Sequence, residues 1–198
     1  MPNNTVYVGI DPGLTVTTII TLQNGQVLPD FPEAIKYAND TILNRLMSYR
    51  YDMRAMIYET ARYSRVVACI EKPPYTLKGD SVNLIPLYWY LLEGIYLGFH
   101  AAMLTDMDKP ASLFDHSIYI VAPTSLKKFA TGKGTGKKST IGQSIERRWG
   151  DILPEELFTP DEADAFVLAK MAECIDNPDG DEWTKSQIET IQKVEKYE

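Results

Sequence analysis

The sequence has few residues of the kinds that form disulfide frameworks or zinc sites. It contains two cysteines and two histidines among its 198 residues. Cys69 and Cys174 lie in apolar stretches without a second ligand at metal-binding spacing, so we expect buried, reduced thiols and a cytoplasmic protein. His100 and His116 also lack zinc-ligand spacing and are predicted to be packing or surface residues.

Segments that direct a chain to a membrane are also lacking. The first residues enter a strand directly, with no basic region followed by an apolar run, so we expect no signal peptide. The one long apolar stretch, residues 82–104, is interrupted by Asn83, Pro86, Glu93 and His100. A charged residue at the centre of a bilayer costs several kcal/mol, so we predict a helix buried against a sheet and no membrane partner.

A surplus of positive charge is missing too, since the net charge is −7. The deficit is confined to residues 151–198, which carry 14 acidic and 4 basic residues, whereas residues 1–150 carry 16 basic and 13 acidic residues. Within residues 124–148, a local charge of +6 is typical of a phosphate-binding surface, although a solvated helix face has the same composition. Its basic residues are Lys127, Lys128, Lys133, Lys137, Lys138, Arg147 and Arg148.

The hydrophobic pattern predicts an α/β domain. Strands are predicted at Thr5–Ile10, Thr15–Leu22, a short run from Gln26 after the Asn24-Gly25 turn, Arg65–Ile70 and Ser117–Ala122. Helices are predicted from Phe31 to about Ala61, over 82–104, near Ser139–Trp149 and from the FTPDEADAF segment to about Cys174. This order predicts a central mixed sheet, with an antiparallel hairpin at the front and parallel strands behind, flanked by helices. Residues 1–177 are assigned to this domain and residues 178–198 to a loosely held acidic C-terminal tail.

Two of the predicted parallel strands end in an acidic residue with proline close behind. Asp11 is followed by Pro-Gly, and Glu71 by Lys-Pro-Pro. Adjacent ends of parallel strands lie at one edge of a sheet, about 5 Å apart, and ligand sites of open α/β sheets form outside such carboxyl ends. Each residue also has a structural explanation, because a short Asp often bonds the backbone of its own turn and a Glu at the rim can have a structural partner.

A third group of acids opens the last predicted helix. Thr159 is a good N-cap, Pro160 fits the first helical position and Glu162 completes a capping box. Asp161 and Asp164 share a helix face at i and i+3, and the helix dipole explains Asp161 better than Asp164. Four acids from three segments predict an oxygen-rich site for Mg²⁺, and two such ions suit in-line phosphodiester hydrolysis.

These motifs resemble those of the RuvC-type Holliday junction resolvases of the ribonuclease H-like superfamily. The resemblance covers roughly residues 5–175 and rests on VGIDPGLTVT, ACIEKPP, VAPTSLKKFATGKGTGKKS and DEADAFVLAK in this order. It implies a ribonuclease H-like fold and an endonuclease of DNA recombination and repair that cuts four-way junctions by paired nicks. It also implies two Mg²⁺ ions per site, with Mn²⁺ accepted. The family's catalytic, metal-binding acids correspond to Asp11, Glu71, Asp161 and Asp164.

The resemblance also implies DNA-binding residues around the glycine-rich loop. Lys128 and Lys138 match the family's basic residues best by position, and Lys138 is a candidate for the catalytic site as well. Lys127, Lys133 and Lys137 are further candidates. The family often places an aromatic wedge shortly after the glutamate of its fourth strand; here two prolines come first and Tyr75 is the nearest aromatic residue. Such compact chains are similar to phage resolvases, which act in the host cytoplasm.

Three alternatives share part of this pattern. An actin-like or sugar-kinase-type ATPase has a related sheet and an Asp-x-Gly turn, but it needs a second phosphate loop and a Gly-Gly adenosine pocket, and the sequence has neither. A non-catalytic junction-binding protein would keep the basic loop but would not need four acids. A nuclease of the same superfamily that acts on flaps, forks or RNA–DNA hybrids fits the same motifs and stays open.

We expect a homodimer, because two symmetric cuts in a four-way junction are most simply made by a two-fold symmetric protein. The helix over residues 82–104 is a candidate interface, since it is more apolar than one buried face requires, and Gly94 and Gly98 would let a second backbone approach. Its aromatic residues include Trp89, Tyr90, Tyr96 and Phe99. The alternative is that its own sheet and tail bury this helix.

Overall fold

A computed structural model describes residues 4–28, 33–36, 40–74, 82–105, 109, 114–135, 138–153 and 159–197. The strands are β1 (Thr5–Asp11), β2 (Val16–Gln23), β3 (Gln26–Val27), β4 (Glu33–Lys36), β5 (Arg65–Glu71), β6 (Ser117–Val121) and β7 (Glu195–Tyr197). The helices are α1 (Ile42–Ala61), α2 (Leu84–Thr105), α3 (Pro123–Thr131), α4 (Lys138–Trp149), α5 (Pro160–Asp176) and α6 (Lys185–Ile191). A short 3₁₀ turn, Gly150–Ile152, follows α4.

The strands form one mixed sheet in the order β3-β2-β1-β5-β6-β7, with β4 also paired to β2. β1, β5 and β6 are parallel, and the remaining pairs are antiparallel. The predicted hairpin is confirmed: Asn24 and Gly25 both have positive φ, 52° and 78°, as a two-residue turn between right-twisted strands requires. The predicted fold class, a central mixed sheet flanked by helices, is therefore confirmed.

Helices cover both faces of the sheet. Side chains of the central strands alternate between the two faces and so contribute to two separate cores. Tyr7, Val67 and Cys69 belong to the core formed with α3, α4, α5 and α6. Val8 and Ala68, one residue further along each strand, belong to the core formed with α1 and α2. These apolar runs are buried on both sides, as expected for parallel strands covered by helices.

α1 and α2 pack closely through two glycines of α2. A Cβ atom at Gly94 would lie 2.7 Å from the carbonyl oxygen of Arg50, and one at Gly98 would lie 2.8 Å from Ile57. The expectation that these glycines admit a second protein chain is wrong, because α1 of the same chain occupies that space. No helix among the described residues is long and apolar enough to cross a membrane.

The predicted helix from Phe31 to Ala61 is too long at its N-terminal end. Residues 33–36 form β4, and α1 begins at Ile42 behind an N-cap at Thr41, whose side chain accepts a hydrogen bond from the Asn44 amide. Ile35 belongs to this short strand, whereas Ile42 and Leu46, which gave the same helical spacing, belong to α1. α3 was not predicted, although Pro123 at its start and Gly132 at its left-handed C-cap are ordinary helix boundaries.

The expectation of a loosely held tail is wrong for the described part of residues 178–198. α6 buries Gln187, Thr190 and Ile191, and β7 pairs antiparallel with β6. The Trp183 indole donates a hydrogen bond to the Asn177 carbonyl and packs beside Phe129, with ring centroids 6.0 Å apart. The segment therefore supplies a strand to the sheet and side chains to the core that includes α5.

Candidate active site

Asp11 and Glu71 occupy equivalent positions at the carboxyl ends of neighbouring parallel strands. The register pairs Ile10 with Ile70, so the two acids are the next residues of β1 and β5, on strands about 4.8 Å apart. Both side chains are half-buried. Because side chains alternate along a strand, and Tyr7 and Cys69 point towards the α5 side, Asp11 and Glu71 continue towards that side as well. The sequence prediction that these two carboxylates share one sheet edge agrees with this register.

The turn after Asp11 is tight and held by side chains from two elements. A Cβ at Gly13 would lie 2.1 Å from the Val16 carbonyl oxygen, so only glycine fits there. The Thr17 hydroxyl donates to the Gly13 carbonyl at 3.3 Å, and Arg45 Nη1 donates to the Leu14 carbonyl at 3.4 Å. Arg45 was missed at the sequence level, because only the pairing of β4 with β2 brings the start of α1 to this edge.

α5 approaches β1 directly, because Gly9 has no side chain. A Cβ there would lie 2.0 Å from the carbonyl oxygen of Ala165 and 2.4 Å from the amide nitrogen of Ala169. The C-terminal end of α5 lies further back along β1, where Asp176 accepts a hydrogen bond from the Tyr7 hydroxyl. The N-terminal end of α5 therefore lies at the edge where β1 ends.

The first turns of α5 present the two remaining acids differently. The predicted capping box is present: Thr159 accepts from the Glu162 amide, and Glu162 accepts from the Thr159 amide at 2.6 Å. Asp164 is buried, with 7 % of its surface exposed, whereas Asp161 is exposed. Asp164 thus lies under the helix against the sheet, and Asp161 lies one turn closer to solvent.

The opposite end of α5 is held by a partly buried ion pair. The Asp176 carboxylate accepts from Tyr7 at 3.1 Å and from Arg65 Nη1 at 2.5 Å, which joins α5 to β1 and β5. Burial, together with the Asp176 carboxylate, raises the pKa of the Tyr7 phenol well above its usual range. The phenol therefore stays a hydrogen-bond donor at physiological pH and holds α5 along the two strands that carry Asp11 and Glu71.

Asp11, Glu71 and Asp164 thus lie at one sheet edge and on one side of the sheet, with Asp161 at the rim. Their donors are all carboxylate oxygens, the type that Mg²⁺ prefers. Among the described residues, no group of three or more His, Cys, Asp or Glu side chains is close enough to hold a metal ion. The fold brings the acids to one edge, and the donor chemistry fits Mg²⁺, but the side chains do not converge on one point.

The basic segment starts beside Glu71. Val121, the last residue of β6, pairs with Glu71, and α3 begins two residues later. Lys127 and Lys128 are half-buried on α3, and Lys133 is exposed in the loop that follows. The Thr131 hydroxyl contacts the carbonyl oxygens of both Lys127 and Lys133, which joins the helix end to the loop.

Three predicted DNA-binding residues are not described at the side-chain level. Lys138 is the first residue of α4, but the structure does not describe its side chain. Lys137 and Tyr75 lie outside the described residues. Their roles stay predictions.

Solved structures with the same fold have been determined for a bacterial protein. RuvC of Thermus thermophilus superposes with a TM-score of 0.58 at 17% identity, over 83% of this chain and 90% of that chain. T. thermophilus RuvC in complex with Holliday junction substrate superposes with a TM-score of 0.56, at the same identity and coverage. No protein-family model and no curated protein sequence matches the chain. The likeness confirms a RuvC-like, ribonuclease H-like fold.

Proposed function

We propose that this protein is a metal-dependent endodeoxyribonuclease that resolves four-way and related branched DNA junctions. The observation that carries the proposal is the position of Asp11, Glu71 and Asp164 at one edge and on one side of a RuvC-like sheet. One solved structure with this fold contains a Holliday junction substrate, which supports branched DNA as the partner. The likeness in sequence is low, so the activity rests on the site and on the shared fold together.

The four acids are the proposed ligands of two Mg²⁺ ions, with Mn²⁺ accepted in their place. Bound metal would activate water and stabilise the leaving oxygen of the phosphodiester. Asp11 and Glu71 end hydrogen-bonded strands, and Asp164 lies on a helix packed against the sheet, which supports their proposed roles as ligands carried by a rigid backbone. Asp161 is exposed at the rim, where a ligand can turn towards an entering ion.

The basic residues beside Glu71 are the proposed phosphate-binding groups. Carboxylates alone repel DNA, so a nuclease of this kind needs cations next to its acidic site. Lys127, Lys128 and Lys133 come from α3 and its loop, which start at the same edge, and Lys137 and Lys138 complete the proposed set. Tyr75, four residues after Glu71 in the sequence, is the proposed wedge at the junction centre.

The decisive experiment offers the purified protein several DNA structures in parallel. Labelled four-way junction, fork, flap, linear duplex and RNA–DNA hybrid are incubated with Mg²⁺, with Mn²⁺ and with a chelator. We expect metal-dependent cleavage that is fastest on the four-way junction. Cleavage of the hybrid alone, or cleavage that persists in the chelator, would refute the proposal.

We also propose that the active species is a homodimer that uses the outer surface of α2. Ile85, Trp89, Tyr96 and Met103 follow one another at helical spacing and are 42–53 % exposed. On α1, Leu43, Met47 and Tyr51 are exposed as well. A second copy of the chain would bury this apolar surface, and a two-fold dimer matches the two symmetric cuts that resolve a four-way junction.

Two measurements test the dimer. Sedimentation gives the mass of the protein at working concentration. A cruciform plasmid reports the cuts, because paired cuts give a linear product and single cuts give nicked circles. The double variant Trp89→Glu, Tyr96→Glu should sediment as a monomer and accumulate nicked circles. Tyr63→Glu, which changes an equally exposed aromatic residue beyond the end of α1, is the control. A monomeric wild-type protein that still makes paired cuts would contradict the dimer.

A further inference from the structure

The first turns of α1 lie at the candidate catalytic edge although no candidate acid belongs to this helix. β4 pairs antiparallel with β2 so that Lys36 lies opposite Val16, which begins β2 just after the turn. The chain then enters α1 behind the Thr41 N-cap, and the amide of Arg45 bonds the Thr41 carbonyl at 3.0 Å. The Arg45 side chain consequently extends towards the turn that follows Asp11.

The guanidinium of Arg45 is only partly satisfied. Its Nη1 donates to the Leu14 carbonyl at 3.4 Å, while its Nε is buried and makes no hydrogen bond among the described residues. Burying a charged donor without an acceptor lowers the stability of the fold. The fold nevertheless places this cation against the turn, although an apolar side chain would pack there without that loss.

Arg45 approaches the turn from the side opposite to the carboxylates. Leu14 packs against the core formed with α1 and α2, whereas Asp11 points towards the α5 side of the sheet. The guanidinium and the proposed phosphate position beside Asp11 and Glu71 therefore lie towards opposite sides of the sheet. We expect Arg45 to act on that site through the turn and not by contact with the substrate.

The turn joins paired strands, since Asp11 of β1 lies opposite Thr18 of β2, and side chains hold the residues between them. Pro12 has no amide hydrogen, and Gly13 is confined by the Val16 carbonyl. The carbonyls of Gly13 and Leu14 are held by two side chains from different elements, Thr17 of β2 and Arg45 of α1. Removing either donor removes one of these two side-chain contacts to the segment that follows Asp11.

We propose that Arg45 is a positioning residue for cleavage, which holds the turn after Asp11 and so orients the Asp11 carboxylate. The inference rests on the proposed nuclease function and adds a residue to it. A displacement of about 1 Å in a reacting group can lower a rate by up to a hundredfold, so a turn contact of this kind affects the rate without affecting DNA affinity.

The test compares Arg45→Ala and Arg45→Lys with a matched control, Arg54→Ala. Arg54 is an exposed arginine of the same helix, roughly 13 Å further along its axis. For Arg45→Ala we expect a cleavage rate at saturating junction at least about tenfold below wild type, with a dissociation constant within about twofold. Arg45→Lys, which keeps a charged donor, should restore most of the rate, and Arg54→Ala should match wild type.

A second variant separates the turn contact from general loss of folding. Thr17→Val removes the other donor to the turn, so it should lower the rate in the same way. Because both residues act on one segment, the double variant Thr17→Val, Arg45→Ala should be less impaired than the product of the single effects. Thermal unfolding of each variant, measured alongside, identifies any loss that comes only from unfolded protein.

Hydrogen exchange measures the turn without reference to activity. Exchange of the backbone amides of residues 13–17 should be about tenfold faster in Arg45→Ala and unchanged in Arg54→Ala. Unchanged exchange and an unchanged rate in Arg45→Ala would overturn the inference. The inference would also be overturned if Arg45→Ala bound the junction more weakly and the slope of log affinity against log salt concentration fell by about one. Such a change indicates a direct contact between Arg45 and a DNA phosphate. If the wild-type protein cleaves no junction, the proposed function fails and the role of Arg45 in cleavage fails with it, whereas faster exchange in Arg45→Ala would still show that Arg45 holds the turn.

Discussion

At the scale of single residues, the two aspartates of α5 differ in their surroundings. Asp164 is buried between the helix and the sheet, while Asp161 is exposed one turn earlier. A buried carboxylate is costly to keep ionised unless cations or donors stabilise it. Asp164 lies beside the ends of β1 and β5, where under the proposed function a bound cation would stabilise its charge, whereas helix-dipole stabilisation suffices for Asp161.

Asp164→Asn should therefore abolish cleavage, while junction binding survives or tightens. The substitution removes a proposed metal ligand and one negative charge without changing side-chain size, so phosphate binding should not weaken. Glu162→Gln is the control, because Glu162 is on the same turn but serves the capping box. Rates under single-turnover conditions and binding in a chelator give both quantities. A turnover in Asp164→Asn equal to that of the wild type would mean that Asp164 has only a structural role.

His116 gives the protein a pH-dependent stability that is independent of the candidate site. Its Nδ1 accepts a hydrogen bond from the Val66 amide, and its ring stacks on Phe99 with centroids 4.5 Å apart. Burial lowers the pKa of His116 to about 4; Arg65 acts in the same direction, and Asp115 opposes it. The unfolded chain binds the proton first as the pH falls, so acid favours unfolding between roughly pH 6.5 and pH 4.

Urea unfolding at a series of pH values should show this loss. We expect the free energy of unfolding to fall by on the order of 1–2 kcal/mol through His116 between pH 7 and pH 4, since solvent reaches part of the ring. His116→Gln should flatten this part of the profile, while a change at exposed His100 to Gln should not. An NMR titration of His116 centred near pH 6.5 would contradict the expectation.

At the scale of elements, α3 and its loop combine structural and proposed DNA-binding roles. Leu126 and Phe129 are buried, and the intervening Lys127 and Lys128 stay partly accessible. Gly132, with φ of 79°, ends the helix and turns the chain into the glycine-rich loop. The lysines are thus carried by a helix anchored in the core, so their spacing is fixed before DNA arrives.

Lys128→Ala should weaken junction binding and lower the slope of log affinity against log salt concentration by about one. Lys193→Ala, an exposed lysine after α6, is the matched control and should leave the slope unchanged. Binding titrations in chelator at several salt concentrations measure both slopes. Equal slopes for the two variants would mean that Lys128 is solvated in the complex.

The elements that the sequence predicted are those whose signal is local. The apolar runs of β1 and β5 end at Asp11 and Glu71, and the capping residues of α5 identify its first turn. β4, α6 and β7 are short, and each is stabilised by residues far away in the sequence, as in the pairing of Ile118 with Tyr197. Their local sequences therefore carry little evidence of the structure they adopt.

The candidate site also has residues that local sequence signals identify and residues that depend on contacts between distant elements. Its acids could be named from strand ends and helix spacing, but Arg45 could not, because its place depends on how β4 pairs with β2. Lys127 and Lys128 were recognised from charge, although the helix that carries them was not predicted. Patterns in sequence identify residue types at element ends, whereas contacts between elements depend on packing.

At the scale of the whole molecule, the C-terminal segment is part of the structural framework. α6 packs against α3, β7 covers the edge of β6, and Trp183 lies over the Lys170 ammonium, 5.8 Å from the ring centroid. Lys170 is itself buried and paired with Glu173 at 2.7 Å. Removing the segment would expose apolar side chains and a charged pair together.

Truncation after Asn177 should consequently lower the free energy of unfolding by several kcal/mol and promote aggregation through the uncovered edge of β6. The matched control keeps the segment but neutralises three exposed acids, as Asp179→Asn, Asp181→Asn and Glu189→Gln. Thermal unfolding should show a large decrease for the truncation and little change for the control. A truncated protein as stable as wild type would mean that α6 and β7 add no stability.

The close contact of Gly9 with Ala165 has a consequence for protein synthesis. β1 leaves the ribosome well before α5, the helix that packs on it, because synthesis proceeds at roughly 5–20 residues per second. A nascent chain that stops before Pro160 carries Asp11 and Glu71 but neither aspartate of α5. Under the proposed function, a chain that is arrested or clipped before Pro160 should therefore be unable to cut DNA.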